Sequence, residues 1–265
     1  MTNEATRPRA LITGASAGIG QGFAKQLARR GHDLTLVARR KDRLVQLASD
    51  LTTAHSANVE VIDADLATDA GVSSVEERLR SGDIDLLVNN AGFGTIGRFA
   101  GLPLDEELRQ LDLNVRALVR LTHAALSSMV PRKRGAIINV ASMAAFQAIP
   151  YQATYGATKA YVLHFTEAVH EEAKEHGVTV TALCPGPVRT EFQEVAGLDD
   201  SRIPAFTWTT VDMVVESALS AMRAGRAIAI PGAFNVAGAL GTRLAPRFVA
   251  RRVAGAFLRQ QGVQK

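Results

Sequence analysis

The turn Thr13-Gly14-Ala15-Ser16-Ala17-Gly18-Ile19-Gly20 constrains the fold of this chain more than any other stretch. Ahead of it Ala10–Thr13 reads as a short buried strand; behind it Ile19, Phe23 and Leu27 recur at helical spacing. A glycine-rich turn between a strand and a helix lets backbone approach a ligand closely. The helix N-terminus that follows offers unpaired N–H groups to a phosphate. The glycines run Gly14, Gly18, Gly20, a G-x-x-x-G-x-G spacing rather than G-x-G-x-x-G. In this strand–turn–helix context, Gly14, Ser16, Ala17, Gly18, Ile19 and Gly20 are candidate binders of a dinucleotide.

The rest of the chain repeats the alternation. Apolar runs at Leu34–Ala38, Val59–Asp63, Ile84–Val88, Ala136–Val140, Val178–Leu183 and Ala227–Ile230 predict six further strands. Between them lie helical patterns: Leu44 with Leu47, then Leu104, Leu108, Leu111, Val115 and Leu118 on one stripe, then Ala153–His176 and Asp212–Ala224. Strands alternating with helices form a parallel sheet covered on both faces. The expected fold is therefore α/β, a single doubly wound parallel sheet of about seven strands. No repeat or low-complexity linker divides the 265 residues, so 1–265 reads as one domain with a variable part from 208 to 265.

Composition narrows the classes of function. A hydrophobic content of 47% with 21% charged residues is that of a globular protein. The single cysteine, Cys184, excludes an internal disulfide and points to a reducing, cytoplasmic setting; beside Pro185 it reads as a small buried residue. MTNEATRPR carries no apolar core of a secretory signal, and the longest uncharged run, Ala227 to Thr242, is broken by Pro231 and several glycines. His164, His170 and His176 fall on different helix faces, so no metal is expected. After Glu216 there are eight basic residues and no acid, which splits the net charge of +4 into +8 in the tail and −4 before it. Such asymmetry fits a solvated helix, and the tail reads as an oligomer contact or a terminal helix covering the mouth of the site ahead of a membrane-surface helix. It lacks the aromatic interleaving of a nucleic-acid binder.

Two stretches carry chemistry. The second strand ends in Ala38-Arg39-Arg40, where a carboxylate would bind ribose hydroxyls and repel a 2′-phosphate. Arginine forks match phosphate, so Arg39 and Arg40 favour NADP(H) over NAD(H), unless with Lys41 they merely decorate a helix start. Further on, Tyr155 has Lys159 four residues later and Ser142 thirteen residues earlier. In a helix Tyr155 and Lys159 share a face, and a cation there is expected to lower the phenol's pKa. A tuned phenol is a general acid for a carbonyl oxygen that receives a hydride.

With these residues the chain resembles the short-chain dehydrogenase/reductase family. TGASAGIG at 13–20, NNAG at 89–92, LDLNV at 111–115, Ser142, the Tyr155/Lys159 pair and PGPVRT at 185–190 occur in the family's order. The resemblance implies that Asp65 lines the adenine pocket, that Asn89 fixes the fourth strand beside the cofactor, and that Leu66, Ala91 and Gly92 bind it as well. It implies a catalytic set of Asn114, Ser142, Tyr155 and Lys159, with Asn114 holding a proton-relay water and Lys159 also on the nicotinamide ribose. Pro185, Gly186, Val188 and Thr190 would border the nicotinamide. Family habit implies a homodimer or homotetramer.

The expected function is an NADP(H)-dependent oxidoreductase interconverting a small-molecule ketone and a secondary alcohol. Phe93, Met143 and Phe146, with Phe192, Leu198, Ile203, Phe206 and Trp208 after the PGPVRT segment, suit an apolar substrate of steroid-like, long-chain or 3-oxoacyl type, or else pack a core. The segment IAIPGAFN at 228–235 and the basic tail depart from bacterial 3-oxoacyl-carrier-protein reductases. The rival reading is a non-catalytic NADP(H)-binding regulator, against which the intact set of four stands.

Overall fold

The computed structural model describes residues 7–192 and 207–260. Seven parallel strands form one sheet: β1 (Arg9–Thr13), β2 (Asp33–Ala38), β3 (Val59–Asp63), β4 (Ile84–Asn89), β5 (Gly135–Val140), β6 (Val178–Leu183) and β7 (Ile228–Ala229). Their spatial order is β3-β2-β1-β4-β5-β6-β7. Helices α1 (Gly18–Arg29), α2 (Lys41–His55), α3 (Asp69–Arg80), α4 (Leu104–Leu111), α5 (Leu118–Arg132) and α6 (Ala153–Lys174) connect the first six strands. Then come α7 (Val211–Arg223), α8 (Ala233–Leu244) and α9 (Arg247–Gln260).

Burial on both faces explains why the central strands read as continuous apolar runs. On one face Ile12, Leu34 and Leu36 meet Phe23 and Leu27 of α1 and Val214 and Ala218 of α7. On the other, Leu11, Val37 and Leu87 meet Val75 and Leu79 of α3 and Leu121 and Met129 of α5. Cys184 lies fully buried in a smaller core with Val162 and Leu163 of α6. This is the doubly wound, Rossmann-like sheet expected from the sequence. Chain order reverses on either side of β1, so a crevice opens at the carboxyl ends of β1 and β4, where such sheets bind ligands.

The third helical stripe departs from expectation. Asp112–Ala117 is π-helical and joins α4 to α5. A π turn holds more residues than an α turn, so it rotates the upstream face away from the core. Leu104, Leu108 and Leu111 are accordingly exposed at 63%, 48% and 41%, while Leu118 beyond the π turn is buried. In their place α4 buries Glu107 and Gln110, which bond Thr95 Oγ1 at 2.5 Å and 3.0 Å. In the tail, Val249 and Val253 face solvent while Gly255 packs on Pro150 and Leu258 is buried.

A buried polar chain crosses the sheet's middle. Asn89 and Asn139 are register partners on β4 and β5. Asn89 Nδ2 donates to Thr122 Oγ1 of α5 at 3.1 Å and to Asn139 Oδ1 at 3.0 Å, and Asn139 Nδ2 donates to Thr166 Oγ1 of α6 at 3.0 Å. Removing the central amide leaves buried donors and acceptors without partners. Asn139→Ala should cost about 1–3 kcal/mol of stability, read as a lower urea midpoint at unchanged slope. An unchanged midpoint would show that the chain does not brace the sheet.

Candidate functional site

A cleft of about 500 Å³ opens at the carboxyl ends of the strands. Its floor at one end is the glycine turn. Gly14 has φ +64°, and a Cβ there would stand 2.8 Å from Asn90 Nδ2. Gly20 does not line the cleft; a Cβ there would lie 2.3 Å from Gly14 O, so its lack of a side chain lets the turn fold onto α1. The N-cap of α1 is Ala17, which has no capping side chain, so the helix turns free N–H groups toward the cleft that Ala17, Gly18 and Ile19 line.

Beside this turn a polar cluster gathers. Arg40 donates from Nε and Nη2 to Ser16 Oγ at 3.2 Å and 3.1 Å, and from Nη1 to Glu191 Oε2 at 2.8 Å. Arg43 donates to the other oxygen of Glu191 at 2.5 Å. The two guanidiniums hold the Glu191 carboxyl below the usual carboxylate range. Arg39 is exposed and lines the cleft with Arg40. Asp65 and Leu66 form the next wall, Asp65 pairing with Arg109 at 3.1 Å and accepting from Ala67 N at 3.0 Å. The cap of α3 is Thr68, whose side chain accepts from Gly71 N at 3.1 Å.

The other end of the cleft brings together Ser142, Tyr155 and Lys159 with Ala91, Gly92, Pro185, Gly186, Val188 and Thr190. Ser142 follows β5, starts a short 3₁₀ turn (Met143–Phe146) by accepting from Ala144 N at 3.1 Å, and lies near enough to the Tyr155 phenol to lower its pKa slightly. Tyr155 and Lys159 are buried on one face of α6. Asn114 sits in the π turn, buried outside the cleft wall. Its side chain donates to Phe93 O at 2.9 Å and Thr158 Oγ1 at 3.2 Å and accepts from Phe93 N at 3.1 Å. It thus clamps the backbone beside Gly92, whose position both Asn114 Oδ1 and Lys159 Nζ flank. Asn89 likewise lies behind the site, in the polar chain of the sheet.

The electrostatics of the tyrosine differ from the sequence expectation. Lys159 Nζ donates to Val140 O at 2.8 Å and stands 5.7 Å from the centre of the Tyr155 ring. The ammonium is itself desolvated, and its pKa is pushed down to about 8 by burial. Burial also dominates at Tyr155 and pushes its pKa up to about 12, against a smaller lowering by the Ser142 hydrogen bond. The phenol therefore holds its proton at neutral pH.

Some of the site was not singled out in the sequence. Thr13 Oγ1 accepts from Asn90 N at 2.9 Å and Ala91 N at 3.0 Å; both residues stand in recognised motifs, but their clasp is a tertiary contact. Arg43 and Glu191 lie 148 residues apart, and no local pattern pairs them. Phe93, Met143 and Phe192 line the substrate end, with the Phe192 ring 5.5 Å from that of Tyr155. Phe146, expected there, instead packs against the smaller core and a separate groove. Trp208 stacks under Arg189 at 5.1 Å, and Leu198, Ile203 and Phe206 lie outside the described residues.

Residues 8–200 match the family model described as short chain dehydrogenase. A very-long-chain 3-oxoacyl-CoA reductase of Anas platyrhynchos is 31% identical over 218 residues, 79% of this chain and 67% of the relative, so the chain spans about two thirds of that protein's length. A short-chain dehydrogenase from Sphingobium yanoikuyae, solved in complex with NADPH, superposes with a TM-score of 0.82 at 38% identity, covering 89% of this chain and 93% of its own. The bulky-bulky ketone specific alcohol dehydrogenase of Comamonas testosteroni gives 0.79 at 33% identity over 90% and 93%. The chain belongs to the short-chain dehydrogenase family and is an oxidoreductase with a nucleotide-binding Rossmann-like fold.

The buried lysine sets a pH dependence. Its pKa falls from 10.5 to about 8 on folding, so between those values the unfolded chain binds the extra proton. Stability should rise as pH climbs through that window, and the cost of the buried charge is in full force below pH 8. Lys159→Met should be more stable than the parent at pH 6 by about 1–3 kcal/mol. The gain should vanish towards pH 10.5 in denaturant titrations. A variant less stable at pH 6 would mean that the Val140 hydrogen bond outweighs the desolvation.

Proposed function

We propose that this short-chain dehydrogenase is an NADP(H)-dependent reductase that converts a bulky apolar ketone to a secondary alcohol, with Tyr155 as the proton donor. One observation carries the reading. The Ser142 and Tyr155 hydroxyls lie in the same cleft as the Arg39 and Arg40 guanidiniums at the glycine turn. That geometry suits one elongated dinucleotide, with its phosphates on the free N–H groups of α1 and a 2′-phosphate among Ser16, Arg40 and Arg43.

In this reading Ser142 and Tyr155 hold the carbonyl oxygen between two hydroxyls. The nicotinamide supplies the hydride when bound. Tyr155 gives its proton to the oxygen, and its raised pKa keeps that proton in place at neutral pH, as an acid for reduction needs. Lys159, about half protonated near pH 8, stabilises in its charged form the phenolate that remains, and orients the ribose. Asn114 is a positioning residue that braces Phe93 and Gly92, with one acceptor site of its Oδ1 left for a relaying water. Phe93, Met143 and Phe192 give the substrate end an apolar wall, and the names of the relatives, acting on bulky ketones and on very-long-chain 3-oxoacyl-CoA, support an apolar substrate. A homo-oligomeric, cytoplasmic enzyme is part of the same proposal.

NADPH oxidation followed across small aldehydes, diaryl and steroid ketones and long 3-oxoacyl thioesters should single out a bulky apolar ketone. Tyr155→Phe should lower kcat on it by about 10²–10⁴-fold while NADPH binding stays within about twofold. Turnover that survives in Tyr155→Phe would overturn the proposed chemistry, and a preference for small aldehydes would overturn the substrate class.

A further inference from the structure

The carboxylate of Glu191 bridges two guanidiniums in the place where a cofactor phosphate is expected. Oε2 stands 2.8 Å from Arg40 Nη1 and Oε1 2.5 Å from Arg43 Nη1, while the rest of the Arg40 fork is on Ser16 Oγ. Arg40 and Glu191 both line the cleft. All three charged side chains are 41–45% exposed, so their pairing is weak enough to be exchanged for a stronger anion. A phosphate dianion is such an anion, because it offers each arginine fork charge-assisted bonds of its own. It could not share the cluster with the carboxylate without like-charge repulsion.

We propose that Glu191 is a specificity-determining residue that competes with the adenosine 2′-phosphate for Arg40 and Arg43. NADP(H) displaces the carboxylate on binding; NAD(H), which carries no 2′-phosphate, leaves it paired. This inference rests on the NADP(H) reading above. Glu191 therefore narrows the preference that the two arginines create, by weakening NADP(H) and sparing NAD(H). The exchange also reaches the substrate end. Thr190, one residue before Glu191, packs on Gly18, and Phe192, one residue after it, packs beside the Tyr155 ring. Occupation of the phosphate site thus shifts the residues that border the reacting atoms.

The test is isothermal titration of the full-length protein with NADP⁺ and with NAD⁺, for the parent, Glu191→Gln, Arg43→Gln and the double variant. Glutamine keeps the shape of the side chain and removes only its charge. Glu191→Gln should tighten NADP⁺ by about three- to tenfold and move NAD⁺ by less than about twofold. In the Arg43→Gln background the gain should shrink, because one of the two contested partners is gone. Unchanged or weaker NADP⁺ binding in Glu191→Gln, with a parent that still prefers NADP⁺, overturns the competition and leaves the cofactor reading standing. A parent that binds NAD⁺ more tightly than NADP⁺ overturns both.

Discussion

The hydroxyl of Thr13 ties together the two strands on which the site depends. It accepts from the backbone of Asn90 and Ala91 and donates to Val88 O at 3.3 Å, joining the end of β1 to the end of β4. These are the neighbours at which the sheet's chain order reverses, and without a clasp the crevice between them would be free to splay. Asn90 completes the tie from the other side, its Nδ2 donating to Thr13 O at 2.9 Å. The glycine turn can then rest on Asn90 and Ala91 at a distance that only a residue without a Cβ permits. Geometry at the glycine turn is therefore set by a side chain that does not line the cleft.

Behind that clasp the sheet is held by amides rather than by packing alone. Asn89 and Asn139 stand at the heart of an apolar sheet, and their hydrogen bonds offset the cost of burying them everywhere except at Asn89 Oδ1, which has no hydrogen-bond partner among the described residues. Their partners Thr122 and Thr166 come from α5 and α6, so the bonds fix the rotation of the helix that carries Tyr155 and Lys159. Glu107 acts on the same helix from its start, accepting from Thr154 while it also accepts from Thr95. Directional bonds of this kind define a register that dispersion contacts would leave loose. The Tyr155 phenol meets Ser142 because α6 is prevented from rolling.

Much of this was legible in the sequence, for reasons that can be traced to particular residues. The strand runs were clear because parallel strands are buried on both faces, and the turn 13–20 was clear because glycine spacing reports backbone approach. Tyr155, Lys159 and Ser142 came together as their spacing implied. The stripe at Leu104, Leu108 and Leu111 was misread because a π turn adds residues without adding a signal of its own, and period 3.6 no longer holds across it. The tyrosine's pKa was misjudged for a related reason. Sequence spacing shows that a cation is near, but the sign of the shift depends on how much water both groups lose, which is a property of the assembled core.

The stretch from Pro185 to Phe192 makes cofactor choice and catalysis hard to separate. Pro185 O accepts from Met143 N at 2.9 Å, beside Ser142. Pro187 O accepts from Thr209 N at 2.9 Å, which anchors the stretch to the chain leading into α7. Thr190 packs against Gly18 at the phosphate turn, Glu191 bridges the arginines, and Phe192 returns to the Tyr155 ring. Eight consecutive residues thus touch the base of Ser142, the glycine turn, the guanidinium pair and the face of Tyr155. Pro185 and Pro187 fix φ at two of the eight positions, which stiffens the first half of the stretch. The same eight residues therefore border both the guanidinium pair and the wall where the substrate would lie.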